Sequence, residues 1–263
     1  MERALFIARA DRLRYYNGDF SRIYYGAEFC ERLLPSPTEL QTVINFVRDN
    51  GLAFTFVTPY VTENGLAQLR GLLDIISNGM PGAEVIGNEY GVLRVLHNNY
   101  PNLEPVLGRL LNRMKRGPRL MAVLDKLPAT TAHYFRSNNL NVPVLGDFLS
   151  AFGVKRVELD NVLQGFDFVL ERFRGSLYIP YGYVTTTRLC LANGCDDPAR
   201  SETVSISPCM RECRKYTFTM SNPIMPLKLL RKGNTIFYRN DYIPEDIADR
   251  GIDRLVVQPE LPV

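Results

Sequence analysis

RIYYGAEFCERLLPSPTELQTVINFVRDNG, residues 22–51, contains one complete strand-then-helix unit. Ile23 to Gly26 reads as a buried strand and Ala27 to Pro35 as its exit loop. Ser36-Pro37-Thr38-Glu39 is a capping box with proline at the first helical position. Leu40, Val43, Ile44 and Val47 then recur at three- and four-residue spacing on one helical face, and Asn50-Gly51 supplies the stop. The pattern repeats. Leu52 to Val57 is a second apolar strand, Thr62 a cap, and Leu66, Leu69, Leu72, Leu73 and Ile76 a helical stripe ending at Gly79. Ala83 to Ile86, followed by a helix holding Val92, Leu93, Val95 and Leu96, makes the third unit.

Further strands are expected at Ala4 to Ala8, Pro105 to Leu110, Arg156 to Leu159, Leu177 to Ile179 and Arg254 to Val257, which brings the count to eight. Alternating strands and helices argue for a parallel sheet with helices outside, and eight strands are what a closed barrel needs. The expected fold is an α/β, TIM-like (β/α) barrel, irregular or incomplete, forming one domain over residues 1–263, with a cysteine-rich C-terminal loop region at 188–215. Asn112 to Asn141 has no clean period and is expected to run over the barrel mouth.

Composition fits an ordinary globular chain: 46% apolar, 22% charged, and a net charge of +3 from 31 basic and 28 acidic residues. That balance argues against a dedicated nucleic-acid coat, although local basic clusters leave nucleic-acid binding open. Met1 to Ala10 has only five apolar residues between its arginines, too few for a signal-peptide core or a membrane span, and no later run is long enough. A reducing, cytoplasmic setting is therefore expected, in which clustered cysteines usually bind metal. Five cysteines would also leave one thiol over in any disulfide scheme.

Four of them fall in Cys190-x4-Cys195-x13-Cys209-x3-Cys213, among Asn, Asp, Gly and Pro rather than in apolar periodic sequence. Soft ligands converging in a segment too polar to form a core suit zinc or an iron–sulfur cluster. The spacings differ from the C-x2-C pairs of zinc ribbons and favour a cluster, with zinc as the alternative. Cys30 follows a strand directly. Because the strands of a parallel barrel all end on one face, it can replace one of the four, most plausibly Cys195. Arg188, Arg211, Arg214 and Lys215 flank the thiols and can offset thiolate charge. Thr185, Thr186 and Thr187 can donate toward sulfur, which makes Arg188 and Thr187 candidates for contact with the cofactor.

Arg109, Arg113, Lys115, Arg116 and Arg119 form a basic run just after a strand. Arg109, Arg113 and Arg116 are candidates for holding an anionic small-molecule substrate. Tyr178, Tyr181 and Tyr183 can stack on an aromatic ligand or pack beneath the loop. Only two histidines occur: His97 is placed as a helix C-terminal residue, and His133 lies in the irregular excursion. No H-E-x-x-H, G-x-S-x-G or phosphate-loop pattern is present, so conventional hydrolase chemistry has no visible residues.

Cys209-Met210-Arg211-Glu212-Cys213-Arg214-Lys215-Tyr216 resembles the C-x3-C-R-x-x-Y segment of the collagenase-like peptidase family (peptidase family U32), and Thr187-Arg188-Leu189-Cys190 resembles the arginine-cysteine segment upstream of it. Tyr24 to Cys30 is similar to a strand, glycine, glutamate and cysteine segment in the anaerobic ubiquinone-hydroxylation accessory proteins of that family. The resemblance implies a TIM-like barrel with a cysteine-ligated four-iron four-sulfur cluster. It further implies a part in oxygen-independent hydroxylation or other redox chemistry, with a redox or heteromeric protein partner. A metal-stapled accessory protein and a peptidase are the alternatives. The Cys190 to Cys195 spacing departs from the family's usual pair.

Overall fold

Strands β1 (Glu2–Ile7), β2 (Arg22–Gly26), β3 (Ala53–Val57), β4 (Glu84–Gly87), β5 (Glu104–Leu107), β6 (Arg156–Asp160) and β7 (Arg174–Ile179) run parallel around a closed barrel. Strand β8 (Tyr181–Thr186) leaves it to begin a second, antiparallel sheet with β9 (Phe218–Met220), β10 (Leu229–Lys232) and β11 (Thr235–Arg239). Strand β12 (Ile252–Val257) returns between β7 and β1 and closes the barrel. The structure, a computed structural model, describes residues 1–200 and 208–263. Positions 201–207, inside the expected cysteine-rich segment, lie outside the described residues. All eight strands read from the sequence are the eight barrel strands.

Side-chain alternation explains how each strand serves two cores. Leu5, Ile7, Ile23, Tyr25, Phe54 and Phe56 point outward to helices α1 (Pro37–Asp49), α2 (Glu63–Gly79) and α3 (Tyr90–Asn99), whereas Ala4, Phe6, Tyr24 and Val57 point into the lumen. Helix α1 begins as its sequence dictates. Ser36 Oγ accepts from the Glu39 amide at 3.2 Å, and Glu39 Oε2 accepts from the Ser36 amide at 2.8 Å. Its four core residues, Leu40, Val43, Ile44 and Val47, are completely buried, each worth roughly 1.5–3 kcal/mol relative to exposure.

The far side is irregular. Short helical turns, α4 (Ala129–Arg136) and α5 (Pro143–Ala151) separate β5 from β6, and no helix lies between β6 and β7. There Phe166, Phe168, Leu170 and Phe173 cover the barrel instead. The second sheet was not anticipated. Its central hairpin turns through Gly233-Asn234, with Gly233 at φ +60° and Lys232 paired with Thr235. A Gly-Asn pair between apolar runs is a hairpin signal.

Both ends of the lumen are polar. At the N-terminal end, Arg254 donates to Glu2 (2.6 Å), to Glu84 (2.6 Å) and to the Tyr24 hydroxyl (2.7 Å), which in turn donates to Glu158 Oε1 at 3.2 Å. At the C-terminal mouth, the fully buried Arg109 grips Glu28 through two bonds of 2.7 and 2.6 Å, Asp160 at 2.8 Å and the Tyr181 carbonyl at 3.1 Å. Arg116 reaches the other Asp160 oxygen at 2.6 Å. The second sheet covers this network: the Tyr183 amide donates to Asp160, and the Tyr183 hydroxyl to the Arg109 carbonyl.

Two outcomes follow from these buried charges. Arg109→Met leaves Glu28 and Asp160 buried without their main partner, so the urea midpoint should fall by the equivalent of about 3–5 kcal/mol. An unchanged midpoint would show that the network contributes nothing to stability. Glu158 is fully buried, and among the described residues its second oxygen has no hydrogen-bond partner. Burial, reinforced by Glu84 and opposed by Arg254, pushes its carboxyl up to about 7. The folded state therefore keeps this proton to higher pH than the unfolded chain, where glutamate titrates near ~4.3. Its stabilising effect is complete below the unfolded value and is lost as pH rises toward 7, a change of roughly 3 kcal/mol. Stability measured between about pH 5 and 7 should slope downward in the native protein and flatten in Glu158→Gln.

Candidate functional site

The exit from β2 fixes the first thiol. Gly26 has φ +139°, and a Cβ there would collide with the Val57 carbonyl, so only glycine fits the turn. Two residues on, Glu28 is held by Arg109. Phe29 then packs edge-on against Phe237 with ring centres 5.3 Å apart and tilted against Tyr183 at 5.4 Å. Cys30 follows at the start of a short helical turn, Glu31–Leu33.

The second thiol comes from the end of β8. The Thr187 amide donates to the Asn234 carbonyl at 3.1 Å. The Asn234 side-chain amide donates to the carbonyls of Phe29 and Thr187, both at 2.7 Å. One asparagine of the β10–β11 turn thus joins the loop that carries Cys30 to the loop that carries Cys190.

Cys209 and Cys213 lie across a tight turn. Arg211 adopts the left-handed conformation at φ 60°, ψ 42°, which costs a non-glycine residue about 1–2 kcal/mol. Its amide thereby points at Cys209 Sγ, 3.4 Å away. Glu212 is buried and accepts from the Gly194 amide at 2.8 Å, tying this turn to the one after Cys190. Gly233 lies beside Cys213, where a Cβ would come within 3.1 Å of the cysteine Cβ.

Cys30, Cys190, Cys209 and Cys213 consequently line one cavity, together with Gly233 and Asn234. Burial pushes the Cys213 thiol up to about 12, and the sulfurs of Cys190, Cys30 and Cys209 add to the rise. Burial also raises Cys30 and Cys190, again with Cys209 contributing. Backbone amides oppose this: that of Arg32 at Cys30, and those of Ala192 and Asn193 at Cys190. Three of the four sulfurs therefore meet an amide two residues downstream in sequence, at Arg32, Ala192 and Arg211. Among the described residues no group of three or more His, Cys, Asp or Glu side chains is placed so as to hold a metal ion. The soft donors that line the cavity are the four sulfurs.

Cys195, expected as the second ligand, stands apart from this cavity. It is exposed, and the acids bearing on its thiol are Asp196 and Glu212. The turn from Ala192 to Asp197 carries it away, while barrel closure brings in Cys30 from the other end of the sequence. Arg188 lines the cavity as expected, but its guanidinium lies over the Tyr60 ring at 5.2 Å. The Thr187 hydroxyl donates to the Leu189 carbonyl at 2.5 Å, and Thr186 pairs with Thr235 at 2.9 Å, rather than either facing sulfur.

The basic run is dispersed. Arg109 is engaged by Glu28 and Asp160, Arg116 by Asp160 and three carbonyls, and Arg113 is exposed. The acids that engage the first two come from strand ends far away in sequence, so two of the run's five charges are met inside the protein, while Arg113, Lys115 and Arg119 are exposed. Tyr178 and Tyr183 are buried, with Arg109 over the Tyr178 ring at 4.0 Å. His97, in the last turn of α3, stacks against Phe152, and His133 lies on the surface with Nδ1 3.1 Å from Asp167. Sequence reasoning missed Asn234, Glu212 and the Arg211 amide. Of these only Asn234 had a visible signal, the Gly-Asn turn. No helix among the described residues is long and apolar enough to cross a membrane.

No protein-family model matches the chain, and no curated protein matches it. Among solved structures, the chain is similar to the U32 peptidase Mk0906, with 14% sequence identity, a TM-score of 0.49, and coverage of 99% of this chain and 93% of that one.

Proposed function

We propose that Cys30, Cys190, Cys209 and Cys213 hold an iron–sulfur cluster of the four-iron four-sulfur type, and that the protein takes part in oxygen-independent redox chemistry. The observation that carries this reading is the convergence of four thiols from three separate chain segments on one cavity at the rim of the barrel. Cysteines retained for packing would not need amides aimed at their sulfurs, and those amides ease the loss of the thiol protons that burial opposes. A single zinc ion held by the same four sulfurs is the alternative. The likeness of the Cys209 to Cys213 segment to the collagenase-like peptidase family supports the same choice.

When bound, such a cluster supplies one-electron transfer at a potential tuned by hydrogen bonds to its sulfurs. The chain's own part is to hold and shield those sulfurs. The amides of Arg32, Ala192 and Arg211 stabilise sulfur charge, and Gly233 leaves room beside Cys213. The closed barrel mouth moves any reaction from the lumen to the rim. Lys232 bears on the Cys213 thiol.

Anaerobic isolation followed by iron, zinc and acid-labile sulfide analysis tests the assignment. The native protein should be brown and contain iron and sulfide in similar amounts. Cys30→Ser should lose most of its iron, and Cys195→Ser should keep it. A colourless protein with one zinc per chain, or iron retained in Cys30→Ser and lost in Cys195→Ser, would overturn the ligand set or the cluster.

A further inference from the structure

A second, more open cleft adjoins the thiol cavity. The two share Cys30, Arg32, Arg188 and Asn234, and the cleft adds Phe29, Glu31, Tyr60 and Thr62. Its volume of about 200 Å³ accommodates a small molecule or one end of a larger one. Both arginines are exposed. Among the described residues neither has a carboxylate within ion-pairing distance, in contrast to Arg109, Arg116 and Arg254 elsewhere in this protein.

The acid that lines the cleft with them, Glu31, has its carboxylate already engaged. Glu31 accepts from the Thr62 amide at 2.6 Å and the Thr62 hydroxyl at 3.2 Å, at the N-terminus of α2. Its charge is thus matched by the helix end rather than by the arginines. Arg188 is fixed by stacking on Tyr60 and by one long bond, 3.4 Å, to the Val61 carbonyl, so its remaining donors are free to bind. Tyr60 is itself held, donating to the Thr187 carbonyl at 2.7 Å and accepting from Asn234 at 2.9 Å. A stacked guanidinium on a fixed ring is already ordered before a ligand arrives, which lowers the entropy lost on binding.

We propose that this cleft is a binding site for a small molecule bearing an oxyanion, carboxylate or phosphate, which Arg32 and Arg188 clamp beside the four thiols. The inference rests on the cluster reading only for what the bound molecule would face next. The anion site itself stands on the two arginines and the cleft. Guanidinium forks match the paired oxygens of either acid group, and the aromatic walls of Phe29 and Tyr60 suit an organic body attached to it.

Calorimetric titration of the full-length protein with benzoate, inorganic phosphate and the neutral analogue benzamide, alongside iron analysis of each sample, tests the proposal. Benzoate or phosphate should bind and benzamide should not, and whichever acid binds more tightly identifies the head group. Arg188→Ala and Arg32→Ala should each weaken that binding about tenfold or more, with iron content unchanged. Arg188→Lys should recover only part, because lysine keeps the charge but loses the fork. Equal binding of benzamide, or unaltered affinity in both alanine variants, would overturn the site. Iron lost along with binding in those variants would also overturn it, assigning the arginines to the thiols. Arginine-dependent binding in a protein without iron would leave this site standing while removing the cluster.

Discussion

Arg109 has no exposed surface, and a guanidinium taken out of water carries a desolvation penalty of several kcal/mol unless its donors are met. Here they are met by Glu28 just beyond β2, by Asp160 at the end of β6 and by the carbonyl of Tyr181 at the start of β8. Burial opposes the charge, and the two carboxylates more than offset it. The ring of Tyr178 beneath the guanidinium adds an attraction that survives only where water is excluded. Three strand exits from different parts of the chain are thereby held in one relation to each other. Two of them lead directly to thiols: Glu28 precedes Cys30 by two residues, and β8 runs on to Cys190. The geometry of the sulfur cavity is therefore inherited from an ion-pair network that contains no sulfur.

That network also decides which space stays open at the C-terminal face of the barrel. In a parallel barrel the C-terminal mouth is the usual place for a site, since all the strand ends open there. In this protein Arg109, Arg116 and the overlying sheet occupy it, with Phe237 and Tyr238 completely buried. The cavities that remain near this face lie at its rim, between the β2 exit, the β10–β11 turn and the cysteine turns. The second sheet seals the lumen on one side and, through Asn234, joins the two cysteine loops.

The barrel was legible because its strands are short apolar runs bounded by turn residues and each of the first helices carries a three-to-four-residue stripe, both set by local geometry alone. The cap at Ser36 and the stop at Gly51 have the same local origin. Long-range pairing left no such trace. Arg109 and Arg116 look like an anion site when read along the chain, because the carboxylates that engage them lie 81 and 51 residues from Arg109. Cys195 looks like a ligand because it is near Cys190 in sequence, whereas only the common direction of the strands hinted that Cys30 is nearer in space. The strands of the second sheet are three to six residues long and interrupted by polar turns, and their pairing order, β8-β11-β10-β9, is not sequential.

Composition alone suggests that the cysteine segment is too polar to order itself without metal. The contacts qualify that view. Glu212 joins the Cys190 turn to the Cys209 turn, Asn234 joins the Cys30 and Cys190 loops, and Cys213 packs in an apolar group with Phe29, Phe237 and Leu261. These interactions position the sulfurs using protein atoms only. Burial and mutual proximity raise these thiols and favour their protonated form, opposed in part by backbone amides and by the charges of Arg32 and Lys232. The four-thiol cavity therefore follows the closure of the barrel and not the spacing of the cysteines along the chain.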